Sequence, residues 1–569
     1  MIVLGIHDGH NASATILKDG KILSSIQEER LTRKKNEVGF PIKAIQESLK
    51  ITNIKKKDID YLVYSSKFMH DKKYLKNPLD WYKIGFKDQI EDGKKPKYYK
   101  KIIFDKRKQE RIQIAKQFIG ISSKNIHFLD HHLCHIASGY YCSSHPKNKK
   151  TLGISLDGSG DNLAGTVYIC KNNDFQKLSF TKRDASLGKI YSRITALMGM
   201  KPWEHEYKVM GLAPYADEQT SKKIEKEVLD KLIYVDKKKL RLRRKSKLSM
   251  NYCYEFLSNK LMGQRFDNIA GATQKFTEKI IFELITAALK KTKIKNLVLG
   301  GGVFMNVKAN NIISKIKNIK NLFIMPSSGD ESLSIGAAMY FYYKKTNSKN
   351  FKYSILKHLY YGKKFSKDEE NKLIKKLDKN KFIIHNKNLN LLSAKLLSKN
   401  YVLGRCAGRS EWGSRALGNR SILARADKYE MVNTLNDKIK NRDFWMPFAP
   451  IILDTYADRY LIKKKCNFNS SFMTMVYELN KKNYKDLVCG THVKDQTARP
   501  QVLSRKVNDN LYDLIHKYSK INKSGCLINT SFNLHGFPIV DSPHDALQVF
   551  KRSKIDALLL NYFLVVKKT

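Results

Sequence analysis

What this 569-residue chain has little of narrows its class first. Its eight cysteines form no CxxC pair, which argues against a zinc ribbon or a disulfide framework. No basic segment followed by an apolar one opens the sequence, so no secretory leader is expected. No apolar run reaches the roughly 18–20 residues that a membrane span needs. A reducing, cytoplasmic setting is the expectation. Acidic residues are scarce too: Asp+Glu number 53 against 107 Lys+Arg, a formal net charge of +54. Such an imbalance ordinarily points to nucleic acid or an anionic surface. Here the excess is mostly lysine, spread along the whole length with abundant Asn and Ile, as a compositional bias would leave it. Nucleic acid is therefore not the expected partner. The densest clusters, Lys94 to Lys108 and Lys237 to Lys247, read as solvated loops. Hydrophobic residues at 42% nonetheless suffice for a large core in two or three domains.

What is present is chemistry at fixed spacing. In Asp130-His131-His132-Leu133-Cys134-His135 the outer histidines stand four apart, so on a helix both imidazoles leave the same face. A short strand, residues 152–156, then delivers Asp157 to a glycine-rich turn. Two imidazoles and a carboxylate suit a divalent transition metal; by themselves, i,i+4 histidines can equally line a helix by accident.

Strands are expected at 2–6, 13–17 and 21–27, with Asp19-Gly20 as a hairpin turn. The turn Asp8-Gly9-His10-Asn11 has an echo in Asp157-Gly158-Ser159-Gly160-Asp161, flanked by strands at 152–156 and 165–170. Two such units suggest a duplicated domain with a phosphate-facing hairpin in each half, although DG is also a common turn dipeptide. A strand at 296–299 runs into Gly300-Gly301-Gly302-Val303-Phe304-Met305-Asn306. There Gly301 and Gly302 would let the backbone approach a nucleotide, and Asn306 would bond to it. A strand at 322–325 leads into Ser327-Ser328-Gly329-Asp330-Glu331-Ser332, with Asp330 placed as a further metal ligand. These elements resemble the ATPase domain shared by actin, sugar kinases and heat-shock ATPases, and more narrowly its tRNA threonylcarbamoyltransferase branch. That resemblance implies His131, His135, Asp157 and Asp330 as the ligand set, with His132 supporting it from outside.

A domain junction is expected between about 343 and 365, giving domains 1–350 and 365–569. After a helix near 366–378 and a strand at 401–404 comes Gly408-Arg409-Ser410-Glu411-Trp412-Gly413-Ser414-Arg415-Ala416-Leu417-Gly418-Asn419-Arg420. Arginine forks match phosphate oxygens, and interleaved glycines let a chain fold around an anion. Downstream lie Lys438, Lys440, Arg442, Trp445-Met446-Pro447-Phe448, Ala498-Arg499-Pro500-Gln501 and Asn529-Thr530-Ser531-Phe532-Asn533.

Together these blocks resemble the nodulation, cephamycin and tobramycin O-carbamoyltransferases, in order and over nearly the whole chain. Two positions depart from that pattern, Phe537 (often Glu) and Met446 (often Arg). Residues 66–115 look divergent and are read as an acceptor-facing insertion or variable cap. The resemblance implies an α/β chain: a duplicated actin/sugar-kinase-like ATPase domain, threonylcarbamoyltransferase-like, followed by a YrdC-like domain. It implies ATP and carbamoyl phosphate as co-substrates, converted to carbamoyl adenylate in the second domain. Arg409, Arg415, Arg420, Lys438 and Arg499 are then expected on phosphates, and Asn529, Ser531 and Asn533 on the carbamoyl group or nucleotide. Transfer to a small-molecule or saccharide hydroxyl would follow in the first domain, at a divalent metal. Iron(II) is the first expectation for that metal, with Mg2+, Mn2+ and Zn2+ as alternatives. His10 would assist proton transfer or hold a ligand in place. Lys208, in Glu206-Tyr207-Lys208-Val209-Met210-Gly211, enters through the same match as a substrate contact. A homodimer is an open expectation. The competing readings are a tRNA threonylcarbamoyl-type modification enzyme and a catalytically inactive nucleotide-binding regulator.

Overall fold

The structure, a computed structural model, describes residues 1–69, 83–95, 97–346 and 353–568. The chain divides into two compact units. One comprises residues 1–23, 38–356 and 464–468; the other comprises 24–37, 357–463 and 469–569. Of the expected junction, residues 347–352 lie outside the described residues. Two short segments depart from a simple division near 350: 24–37 counts with the second unit and 464–468 with the first.

Two sheets of the same order build the first unit. β1 (Ile2–His7), β2 (Ser13–Lys18), β3 (Lys21–Gln27), β4 (Tyr61–Tyr64) and β5 (Ile126–Phe128) are ordered β3-β2-β1-β4-β5. β1 is antiparallel to β2 and parallel to β4, which is parallel to β5. The second sheet uses β6 (Thr151–Gly160), β7 (Leu163–Lys171) and β8 (Asp174–Lys182). A separate hairpin of β9 (Ile233–Asp236) and β10 (Arg241–Arg244) follows, and then β11 (Asn296–Gly300) and β12 (Asn321–Ile324). The order β12-β11-β6-β7-β8 repeats the first: an antiparallel meander with two parallel strands added beside its first member. The expected duplication is present: both halves of the unit carry the same sheet.

Local chemistry sets both meanders. Asp19 and Gly20 both take positive φ, 47° and 79°, the geometry a two-residue hairpin needs to match strand twist. In the second sheet the turn falls at Asp161 and Asn162, φ 47° and 64°, rather than at the expected Asp157-Gly158. β6 instead runs on to Gly160, with a register irregularity between Leu156 and Gly160. Such an irregularity re-aims side chains locally, and Asp157 lies within it.

The second unit is α/β around an eight-stranded sheet. The strand Arg420–Arg425 lies between Leu403–Cys406 and Cys526–Ser531; Ala449–Leu453 follows, and Gln501–Leu503 sits at the edge. Leu403, Leu423, Ile451, Leu514, Ile515 and Leu527 share one core cluster.

Lys94 to Lys108 is mostly not a loop: Lys94 ends the helix Phe86–Lys94 and 97–108 lie in the helix Lys97–Ile119, with residue 96 outside the described residues. Its Lys, Arg, Gln and Glu residues are good helix formers and its apolar content is low, which hides the helical period. Lys237 to Lys247 brackets β10. Residues 70–82 of the divergent segment lie outside the described residues. All eight cysteines are free and buried, and no helix among the described residues is long and apolar enough to cross a membrane.

Candidate functional site

In the first unit His131, His135, Asp157 and Asp330 converge, with one ligand atom from each lying within 4.8 Å of the others. The helix His131–Cys142 carries both histidines and is N-capped by Asp130, whose side chain accepts from Leu133 N at 2.9 Å. Asp161 takes the His131 backbone N–H at 2.9 Å and also binds the backbone N–H groups of Lys67 and Phe68. It therefore ties the helix start to the loop after β4. Asp330 opens the short helical turn after β12.

His131 Nε2 lies 3.2 Å from Asp157 Oδ2 and 3.5 Å from Asp330 Oδ1, and His135 Nε2 lies 3.5 Å from Asp330 Oδ1. Burial opposes charge on His131, yet Asp330 and Asp157 outweigh it and raise its pKa to about 9. Burial likewise opposes ionisation of Asp330, while His10 and His131 hold it well below the usual carboxylate range.

The donor set fits a divalent cation. His135 is fully buried, and its Nε2 has no hydrogen-bond partner. The Ser332 hydroxyl gives its proton to Gly329 O at 2.8 Å, so at His135 Nδ1, 3.4 Å away, it acts as acceptor. That contact keeps the proton on Nδ1 and leaves the Nε2 lone pair facing the two carboxylates. With its proton displaced by the cation, His131 joins His135, and two imidazole nitrogens and two carboxylates are what first-row divalent ions take.

Around this cluster stand the expected His10 and others the sequence did not single out. His7, buried at the end of β1, contacts Ser65 Oγ through Nδ1 at 3.0 Å, and its Nε2 lies 3.5 Å from Asp330 Oδ2. His10 Nδ1 lies 3.4 Å from the same oxygen, and its ring stacks on Trp203 at 4.9 Å. Burial lowers the His10 pKa. Asp8, in the same turn, takes two hydrogen bonds from Arg111, 2.8 Å from Nε and 2.9 Å from Nη2. Arg111 comes from the divergent 66–115 segment, so part of that segment braces the first turn. Lys189, on the helix that follows Ser186, is pushed down to about 7 by burial and the neighbouring Arg193.

The glycine loop serves the cluster from inside. Gly301 has φ +99°, and a Cβ there would stand 2.2 Å from Leu156 O, so only glycine lies flat against β6. Gly302 N then donates to Asp157 Oδ1 at 3.1 Å. Asn306 caps the next helix by accepting from Ala309 N at 3.0 Å, and pairs with Gln274 in both directions. Its amide is engaged within the protein rather than offered outward as expected. Lys208 is half-buried on the helix Glu206–Leu212. His132 turns into the core onto Ser155 Oγ at 2.9 Å, and burial lowers its pKa to about 3.

In the second unit the arginine–glycine loop folds around an anion of its own. Glu411 Oε1 accepts from the backbone N–H groups of Leu417, Asn419 and Arg420 at 2.7, 3.2 and 3.1 Å. Arg420 is buried and donates to the carbonyls of Asp541, Gly408, Asn419 and Lys363. Arg409 donates to Tyr361 O and Gly362 O, both at 2.8 Å. Lys438 is held by Asp556 at 2.6 and 2.7 Å. These three cations, expected on phosphates, are thus engaged internally. Arg415 and Arg499 are half-buried.

Lys440, two residues beyond Lys438, is buried. It donates to Ser531 O and to Asn533 Oδ1, and burial with Arg442 nearby holds its pKa well below the usual lysine range. Ser531 Oγ donates to Asn533 Oδ1 at 2.7 Å. Arg30, from the 24–37 segment, is 4% exposed; one nitrogen donates to Gly413 O, and Nε and Nη1 have no partner. A buried guanidinium so placed is an anion ligand in form. Its sequence context, Glu28-Glu29-Arg30, gave no hint of this.

A model of the carbamoyltransferase N-terminus matches residues 2–339, and one of the carbamoyltransferase C-terminus matches 394–567. The uncharacterized protein MJ1051 of Methanocaldococcus jannaschii is 32% identical over 100% of both chains. Nodulation protein NolNO of Sinorhizobium fredii is 27% identical over 98% of this chain and 79% of its own. Among solved structures, full-length HypF in the phosphate- and nucleotide-bound form is 16% identical, covers 61% of this chain and 56% of that one, and has a TM-score of 0.36. With both halves matched in order, the chain belongs to the carbamoyltransferase family.

Proposed function

We propose that the protein is an ATP- and carbamoyl-phosphate-dependent O-carbamoyltransferase that works through carbamoyl adenylate. The observation that carries this reading is the convergence of His131, His135, Asp157 and Asp330 beside His10, inside the part matched to the carbamoyltransferase N-terminus.

In the second unit, water would cleave carbamoyl phosphate to carbamate and phosphate. A carbamate oxygen would then attack the α-phosphorus of ATP, and pyrophosphate would leave. Arg30, Arg415 and Arg499 are the phosphate ligands this reading favours, with Lys440 stiffening the Ser531–Asn533 corner. Arg409, Arg420 and Lys438 act at one remove, by holding the loop and the unit together.

In the first unit, an acceptor hydroxyl would attack the carbamoyl carbon, breaking the bond to AMP. A divalent cation, iron(II) by our reading, would be held by His131, His135, Asp157 and Asp330 and would act as a Lewis acid on the mixed anhydride. With its proton on Nδ1, 3.4 Å from Asp330, His10 would keep Nε2 free to take the acceptor's proton. Trp203 fixes the ring plane from one side. The acceptor is a small molecule or saccharide bearing a hydroxyl.

The test is pyrophosphate release from ATP with and without carbamoyl phosphate, with no acceptor present. The expected result is carbamoyl-phosphate-dependent release, retained in His131→Ala and lost in Arg415→Ala. Release that never depends on carbamoyl phosphate would overturn the two-step reading.

A further inference from the structure

Three residues of the second unit form a chain of hydrogen bonds whose polarity can be read in one direction. Leu417 O is a carbonyl and can only accept. It receives the Gln501 side-chain amide, Nε2 to O at 2.9 Å, and also the Tyr360 hydroxyl at 2.8 Å. Turning the Gln501 amide over would set oxygen against oxygen, so Gln501 Oε1 must point the other way, towards Asn529. There it accepts from Asn529 Nδ2 at 2.8 Å, and the second hydrogen of that NH2 goes to Ala416 O at 3.1 Å. Both donors of Asn529 are therefore spent, and its orientation is set by two carbonyls it does not itself carry.

What remains is Asn529 Oδ1. Asn529 is 2% exposed, and this oxygen has no hydrogen-bond partner. A buried acceptor left in this way is costly unless a donor arrives. Asn529 is on the strand Cys526–Ser531, two residues from Ser531 and so on the same face of the strand. Lys440 holds Ser531 and Asn533 beside it.

We propose that Asn529 Oδ1 recognises the amino group of the carbamoyl donor, and that Gln501 is a positioning residue which fixes that oxygen as an acceptor. The inference rests on the adenylate-forming reading above and adds its donor specificity. Carbamoyl and acetyl groups have nearly the same shape and differ in NH2 against CH3. A site that presents a buried acceptor to that position satisfies the first and strands itself with the second. Hydrogen-bonding sites reject analogues lacking the matching group far better than apolar pockets reject a missing methylene. Carbamoyl phosphate should accordingly be preferred to acetyl phosphate by about 100-fold or more.

The experiment measures kcat/KM for pyrophosphate release from ATP with each donor, in the full-length protein and two variants. Gln501→Met removes the polarity lock and keeps the volume; the carbamoyl-to-acetyl ratio should fall about 10-fold. Asn529→Leu replaces the acceptor with an isosteric apolar group; the ratio should fall by about 100-fold, towards parity. General damage to the fold lowers both rates and leaves the ratio unchanged, so the ratio reports on recognition. A wild-type protein that uses acetyl phosphate within about 3-fold of carbamoyl phosphate would overturn the inference without any variant. An unchanged ratio in both variants, with carbamoyl-phosphate-dependent release intact, would overturn it while leaving the adenylate reading in place. No such release from the wild type would overturn both.

Discussion

Two motifs rich in chemistry, one in each unit, met opposite fates on folding. The His-x3-His helix and its two aspartates place their donor atoms around a common point. The arginine–glycine loop turns most of its charge inward: Glu411 organises the backbone, and Arg409 and Arg420 bind carbonyls. The difference lies in what each group can find inside a protein. A neutral imidazole nitrogen needs a proton donor or a metal, and no donor reaches His135 Nε2. A guanidinium carries five N–H donors, and every loop carbonyl is an acceptor for it. Arginine in a glycine-rich loop is therefore ambiguous between ligand binding and loop scaffolding, whereas two imidazoles and two carboxylates facing one point fit a divalent cation.

The largest expected effect bears on the quartet. His131→Ala or Asp330→Asn should weaken metal binding by about 100-fold or more, with transfer lost alongside it. Metal content by elemental analysis and carbamoyl transfer by product assay would show this. Equal metal content in wild type and variant would break the first half of the comparison. Next, Arg420→Met should cost about 2–4 kcal/mol, because several buried carbonyls lose their donor. Arg30→Met should leave stability nearly unchanged yet weaken ATP or carbamoyl phosphate binding by about 10- to 100-fold. Denaturant melts and titration calorimetry on both variants sharpen the contrast; equal destabilisation would erase it.

An effect on stability alone lies just beyond the helix His131–Cys142. Lys147 donates to Ser143 O at 2.8 Å and to Tyr140 O, and burial pushes its pKa down to about 7. The unfolded chain keeps that proton up to about 10.4, so stability should rise as pH climbs from about 7 to about 10.4. Below about 7 both states are protonated and the penalty is complete. Lys147→Met should flatten that slope in pH-dependent melts and leave metal affinity unchanged.

What could be read from the sequence was local. The Asp19-Gly20 hairpin, the i,i+4 histidines and the strands that lead to Asp157 and Asp330 are all written in short windows. The Asp8–Arg111 pair spans 103 residues, and no periodicity encodes a partner so distant. The choice between Lys438 and Lys440 was hidden for another reason. Residues Asn436–Lys440 form a π-type turn, closed by Asn441 N donating to Asn436 O. The widened turn shifts side-chain directions from those of a regular helix, so spacing alone could not say which lysine faces Asp556. Gln501 stood in the Ala498-Arg499-Pro500-Gln501 block with no role assigned, because the role proposed for it is to orient another side chain rather than to touch anything reactive.

The segment 24–37 carries a consequence for how this protein is made and how it can change. It is translated long before Lys357 leaves the ribosome, yet it counts with the unit that begins there. Folding of that unit must then wait for most of the chain, and nascent Arg30 spends that interval without its site. For the same reason, gene fusions or exchanges between relatives that cut near the middle of the chain would separate the second half from a piece of itself. Natural recombination in this lineage should accordingly favour inheriting the chain whole.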